Sequence, residues 1–382
     1  MTKNKHSIVE NINTRFYNFL INYQLAKYGD SEGQEMDEDF SVYNTEKKLL
    51  VEKISHRERM RKEEQKKVYI NKVADELFQK VENKILEKMN NPKDLIEEVS
   101  PIPDIVVSIL EDTNVKASSI NKINNLLSNY SVIHRDIVSI MNNEAFKKKM
   151  GIQTNRKIGN YKLAVSYMGL DNAKNVIPTL IAKKYFLFEN SYFPLTPNKL
   201  WMHNILTANV AKILAEKQGE KHPEFLYLSG LFHDIGLLFL FKLYDDIHYN
   251  TWLKEVSESR ENQEYDKNRA LGEIQPSRIH LRNLFLKYGE EMTKIIFENL
   301  NFQRIPLPQI YKSWSDDDFD NQISHAQILT KANAYSEFLL LFRNKLISLE
   351  EGRKFLIRNH FSNDEINEIQ KVNMAYLQQV HS

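Results

Sequence analysis

The sequence has no cysteine, which excludes disulfides and thiolate metal sites and leads us to expect a reducing, cytoplasmic setting. Glycine and proline are sparse, 11 and 10 residues in 382, and no glycine-rich phosphate loop is legible. Neither sign of charge dominates. Lysine and arginine total 52 against 51 aspartates and glutamates, a net charge of +1, so no global field draws the chain to nucleic acid or to anionic lipid. Strict alternation of apolar and polar residues is scarce as well, which argues against sheets and for an all-α fold. Met1 to Asn18 is polar, without the apolar stretch a secretion signal needs, and no membrane span is expected.

What is present is the composition of an ordinary globular protein, 42% hydrophobic and 27% charged. The length predicts one large domain with an appendage, or two domains. Residues 1–92 read as a helical extension. Within it, Arg57 to Met89 alternates in charge while Ile70, Val73, Leu77, Val81 and Ile85 recur at spacings of three and four, which predicts a long amphipathic helix. Its stripe packs on the main domain or on the N-terminal helix of its own chain, or else on a second copy in a homodimer. Gly29 to Asp39 reads as an acidic loop. Asn91-Pro92 and Ser100-Pro101-Ile102-Pro103 punctuate the chain and set a boundary near residue 92, where proline suits a helix start. Residues 93–345 then read as one helical domain, and 346–382 as a C-terminal segment whose helix, opened by the capping box Ser362-Asn363-Asp364-Glu365, packs back on it.

The stretch that organises the domain is Phe225 to Lys242, FLYLSGLFHDIGLLFLFK. It reads as a buried core helix with His233 and Asp234 at its centre. An imidazole beside a carboxylate in such surroundings must be paired, hydrogen-bonded or metal-bound. His203, thirty residues upstream, shares a helix face with Leu206, Val210 and Leu214 and so points inward. That is equally the position of a metal ligand and of a core histidine. His248, His280 and His325 have no partner motif and read as structural or surface residues. Asp316, Asp317 and Asp318 read as a helix cap, and Lys147, Lys148, Lys149, Arg156 and Lys157 as a solvated basic face.

His203, Ser229-Gly230-Leu231-Phe232 and His233-Asp234-Ile235-Gly236 resemble the HD superfamily of metal-dependent phosphohydrolases, and most closely the HDOD family, the HD-related output domains of bacterial signalling proteins. Pro101-Ile102-Pro103, Ile137 to Asn142 and the run from Ile158 to Met168-Gly169-Leu170 fit the same pattern, so the resemblance covers about residues 95–300. The HHExxxGxGYP run of HD-GYP phosphodiesterases is absent. The resemblance implies an all-helical bundle and, for a hydrolase, four ligands: His203, His233, Asp234 and a late aspartate. Asn333 occupies that fourth position in Leu329-Thr330-Lys331-Ala332-Asn333, unless it falls within Asp316 to Asp320. A neutral amide there removes one charge from a site for a hard divalent ion, which makes the metal site weak or vestigial. The expectation is therefore a non-catalytic regulatory module without cofactor, binding a signalling protein or a small ligand. The alternative is an iron-, manganese- or magnesium-dependent phosphohydrolase of a nucleotide or cyclic dinucleotide.

Overall fold

The computed structural model describes residues 3–31, 50–115, 118–154, 156–316 and 318–371, and every regular element among them is a helix. In chain order these are α1 Lys3–Ile21, α2 Tyr23–Tyr28, α3 Leu50–Met89, α4 Pro92–Val99, α5 Asp104–Asn114, α6 Ile120–Ser128, α7 His134–Met141, α8 Glu144–Lys149 and α9 Tyr161–Phe186. There follow α10 Thr196–Lys217, α11 Pro223–Phe232, α12 Ile235–Glu261, α13 Tyr265–Leu271, α14 Arg278–Glu298, α15 Leu307–Trp314, α16 Ser324–Arg343, α17 Leu349–Arg358 and α18 Asn363–Lys371. The expected all-α architecture is the one observed.

The first half of the domain is a stack of short amphipathic helices. Ile109, Ile123, Leu127, Ile133, Ile137 and Met141 are all buried. Asn142 ties this stack to the next segment. Its Nδ2 donates to the Ile158 carbonyl at 2.9 Å while its Oδ1 accepts from the Ile158 amide at 2.9 Å. Gly169 adopts φ 74° inside α9, a conformation that costs a residue with a side chain and so explains the glycine in that turn.

The second half is built on α10, α11, α12, α14 and α16, which pack pairwise around the apolar run. Two glycines set how closely they approach. A Cβ on Gly230 of α11 would lie 2.6 Å from the Ala208 Cα of α10, and one on Gly236 of α12 would lie 2.2 Å from the Gly289 carbonyl oxygen of α14. Phe225, Leu226, Leu228, Leu231 and Phe232 are all buried between these layers, each contributing about 1.5–3 kcal/mol by removal from water. The stretch Pro223–Glu261 is long and apolar enough to cross a membrane, yet 94% of its most apolar window is buried by the rest of the chain.

The single helix expected over Phe225 to Lys242 is in fact two. α11 ends at Phe232 and α12 begins at Ile235, with His233 at φ −60°, ψ −31° and Asp234 at φ −94°, ψ 18° between them. The close contact at Gly236 and the bond from Thr293 Oγ1 to the His233 carbonyl, 2.7 Å, hold this break. The freed carbonyl is satisfied by the threonine instead of by the next helical turn.

The amphipathic stripe of α3 faces its own chain. Val73, Leu77, Val81 and Ile85 are buried against α12, α13 and α14, so this stripe is not the surface a homodimer contact would use. α1 also docks on the body, with Ile12, Phe16, Phe19 and Leu20 buried against α10, α14, α16 and α17. The capping box at Ser362 forms: the Glu365 amide donates to Ser362 Oγ at 3.1 Å and the Ser362 amide to Glu365 Oε2 at 2.8 Å. A second one joins Ser348 to Glu351. Val372, Leu377 and Val380, expected on the last helix, and most of the acidic loop from Gly29 to Asp39 lie outside the described residues.

Candidate functional site

Four of the residues singled out from the sequence meet at one point. α10 carries His203, the break between α11 and α12 carries His233 and Asp234, and α16 carries Asn333. His203 Nε2 is 2.9 Å from Asn333 Oδ1 and 3.1 Å from His233 Nε2, which is itself 3.1 Å from Asn333 Oδ1. Asp234 places Oδ2 3.4 Å from His203 Nε2 and Oδ1 3.4 Å from His233 Nε2. Asn333 is therefore the fourth group. Asp316, Asp318 and Asp320 sit elsewhere, where Asp318 caps a short 3₁₀ turn through the Asp320 amide.

The orientation of each group is fixed from behind. His233 Nδ1 lies 2.8 Å from the Gly230 carbonyl, which accepts only, so Nδ1 carries the proton and Nε2 presents a lone pair inward. His203 Nδ1 lies 2.8 Å from Ser336 Oγ, and that hydroxyl is also within 3.2 Å of the His203 carbonyl. Ser336 can thus donate to Nδ1, leaving a proton on the inner Nε2, or turn to the carbonyl and accept from Nδ1, leaving the inner nitrogen bare. Asn333 Nδ2 donates to Glu337 Oε1 at 3.2 Å, which turns the amide oxygen to the centre. In the second setting of Ser336 every inward atom is an acceptor. The 2.9–3.1 Å separations among the two imidazole nitrogens and the amide oxygen suit a single ion with bonds of about 2.1 Å. The arrangement has two settings: one closed by a proton, the other fit for a cation.

Burial governs the charges. His203 and His233 are 0% exposed and Asp234 is 6% exposed. Burial holds His203 well below the ordinary imidazole range, assisted by His233, and pushes His233 down to about 4. It holds the Asp234 carboxyl well above its ordinary range, and Asp234 Oδ2 has no hydrogen-bond partner. Both imidazoles are neutral near pH 7, so no ion pair joins them to Asp234. Replacing Asp234 by Asn, which keeps the shape and removes the charge, is expected to leave stability unchanged or raise it. Asp234→Ala is expected to cost about 1–3 kcal/mol for the hole it leaves in the buried polar cluster. Paired denaturant titrations of the two variants check this, and equal losses in both would contradict it.

Several residues at the site carry no motif. Glu337, one turn beyond Asn333, is buried, and burial followed by the charges of Asp234 and Glu290 pushes it up to about 8. Its place was readable as the carboxylate four residues after Asn333 on the same helix face. Phe16 of α1 lays its ring 4.6 Å from that of His203, and Trp314 of α15 lies 5.7 Å from His233. Tyr311 donates its hydroxyl to the Ser229 carbonyl at 2.7 Å. Local periodicity gives no sign that α1 belongs here.

The other histidines divide. His325 pairs with Glu220 at 3.2 Å, as a surface residue would. His248 and His280 are not surface residues. Both lie under α3, their rings 6.0 and 4.9 Å from Phe78 and 5.7 and 5.4 Å from Tyr244. Among the basic residues, Lys147 is buried and bonded to the Thr154 carbonyl at 3.1 Å, so the expected solvated face is smaller than it reads.

Residues 99–276 match the HDOD domain family. No curated protein matches the chain. Among solved structures, a candidate metal-dependent phosphohydrolase from Shewanella amazonensis SB2B is 16% identical, with TM-score 0.41, over 73% of this chain and 97% of that one. An HDOD domain protein of unknown function from Geobacter sulfurreducens is 18% identical, with TM-score 0.42, over 78% of this chain and 98% of that one. The chain carries an HDOD domain over residues 99–276, with His203, His233 and Asp234 inside the matched span and Asn333 beyond it.

Proposed function

We propose that this protein is a non-catalytic regulatory module, cytoplasmic and bacterial in setting, that works by binding a signalling protein through its helical surfaces. The observation that carries the reading is the closure of the His–Asp centre. A phosphate ester has to reach its catalytic groups, and here both imidazoles are fully buried, with Phe16 and Trp314 set against their rings. A catalytic metal site keeps one position open to water or substrate, whereas a closed one serves structure. The centre also has a single carboxylate among its four inward groups, Asp234, because Asn333 stands at the fourth.

The convergence of acceptors favours a second reading, the metal-dependent phosphohydrolase. His203 Nε2, His233 Nε2, an Asp234 oxygen and Asn333 Oδ1 would hold a divalent ion. Bound there, the ion would supply Lewis-acid activation of a water nucleophile. The chain's own residues work against that chemistry. Glu337 spends one carboxylate oxygen on Asn333 Nδ2, and the uncharged amide leaves the ion a net single negative charge among its ligands, which weakens binding.

The test is hydrolysis of bis(p-nitrophenyl) phosphate and of a cyclic dinucleotide with added manganese. Turnover no greater than that of His233→Ala is expected. Turnover that His233→Ala abolishes would establish the second reading and overturn the first.

A further inference from the structure

The element that closes the centre lies outside the HDOD match, which begins at residue 99. Phe16, 1% exposed, fills the space over His203, and on the next residue Tyr17 lies in the field of Asp234, Glu337 and Glu290, its hydroxyl held well above its ordinary range by burial and then by those charges. Asn13, with its amide turned so that Nδ2 donates, reaches Glu337 Oε2 at 3.3 Å. One face of α1 is therefore apolar, at Ile12, Phe16, Phe19 and Leu20, and its edge closes over carboxylates. A helix seated on dehydrated carboxylates is held less firmly than one on a wholly apolar surface, because lifting it returns them to water. Further polar ties include Arg15 Nη1 to the Leu346 carbonyl at 2.8 Å, Lys199 Nζ to the Phe19 carbonyl at 2.5 Å and, near the end of the helix, Arg282 Nη1 to Asn18 Oδ1 at 3.4 Å. Behind them Asn22, extended at φ −153° and ψ 130°, separates α1 from α2. α2 and the turn after it have anchors of their own, Tyr23 to the Asn344 carbonyl and Asp30 to Arg282, while Asn18 at the end of α1 stays joined to them through the Leu25 carbonyl and Arg282.

We propose that α1 is a removable plug: with Phe16 seated the His–Asp centre is sealed, and with α1 lifted about the Asn22 break His203 opens to solvent and to a small cation. This regulates access to the centre described above, and it stands whether or not the chain hydrolyses anything, because chemical accessibility reads it directly.

Two experiments on the full chain test it, helped by the absence of native cysteine. In the first, the maleimide labelling rate of Phe16→Cys is compared under native conditions with that of Ala173→Cys, a fully buried position in α9. At least a hundredfold faster labelling at 16 is expected; equal slow rates would mean that α1 leaves only when the whole chain unfolds. In the second, the partly exposed Asn13→Cys is coupled to a bulky maleimide to wedge α1 off, which needs no change at Phe16. Modification of each histidine by diethyl pyrocarbonate is then followed by peptide mass spectrometry. His203 is expected to react at least tenfold faster than in the uncoupled variant while buried His248 keeps its rate. An unchanged His203, or His203 and His248 rising together, overturns the proposal.

Discussion

Gly236→Ala is expected to be the most damaging small substitution in the chain, costing about 3 kcal/mol or more. The added methyl would lie 2.2 Å from the Gly289 carbonyl oxygen, 2.6 Å from the Thr293 amide nitrogen and 2.7 Å from Thr293 Oγ1. The first two are backbone atoms of α14, so no rotamer change relieves them and the two helices must move apart. That separation also strains the bond from the Gly236 amide to Thr293 Oγ1, 3.0 Å, and the one from Thr293 to the His233 carbonyl, which together hold the break that presents His233 and Asp234. Gly272→Ala is the control, since its nearest neighbour would be an ordinary 3.4 Å away. Urea titrations of the two variants compare them. An unchanged midpoint for Gly236→Ala would mean that α12 and α14 do not meet as described.

The second large effect is acid lability seated under α3. Burial pushes His248 and His280 down to about 4 from an ordinary value of 6.5. A group whose folded pKa is depressed binds fewer protons folded than unfolded below its ordinary pKa. Stability is therefore complete above pH 6.5 and is lost as pH falls from 6.5 toward 4, by about 2–3 kcal/mol for each imidazole. His248 Nε2 and both ring nitrogens of His280 are buried without a partner, so nothing nearby rewards protonation except the field of Glu82 at His280. His203 and His233 act in the same direction. Asp234 and Glu337, raised by burial, act in the opposite one, since a raised carboxyl gives up stability as pH rises from its ordinary value to its folded one. The contributions at the centre are thus opposite in sign, and removing His248 and His280 isolates that of the α3 seam. Urea unfolding at pH 7 and pH 5 should differ by several kcal/mol in the wild type and by clearly less in His248→Phe/His280→Phe. A double variant as acid-labile as the wild type would place the effect elsewhere.

Much of this was legible. His203, His233, Asp234 and Asn333 come together from positions up to 130 residues apart; the first three stand in a motif or on an apolar helical face, while Asn333 was reached only through the family resemblance, with Asp316 to Asp320 left open. The stripe on α3, the Gly169 turn and the Ser362 box are local patterns, and local patterns survive into structure. The break at His233 was hidden because an apolar run looks the same whether it forms one helix or two; what breaks it is contact with α14, sixty residues on. Phe16 over His203 and His248 under Phe78 were hidden for the same reason. Their partners are 187 and 170 residues away, and the face a helix turns toward a distant neighbour leaves no mark beyond ordinary amphipathicity.

On the reading proposed above, a proton and not a cation closes the four inward groups, since Asn333 leaves one negative charge where an aspartate would make two. The most direct measurement is the content of iron, manganese and other divalent metals in full-length protein purified without chelator, alongside Asn333→Asp and His233→Ala. Wild type and His233→Ala should both carry only a small fraction of one ion per chain, and Asn333→Asp should carry distinctly more. Near-stoichiometric metal in the wild type, lost in His233→Ala, would contradict the account.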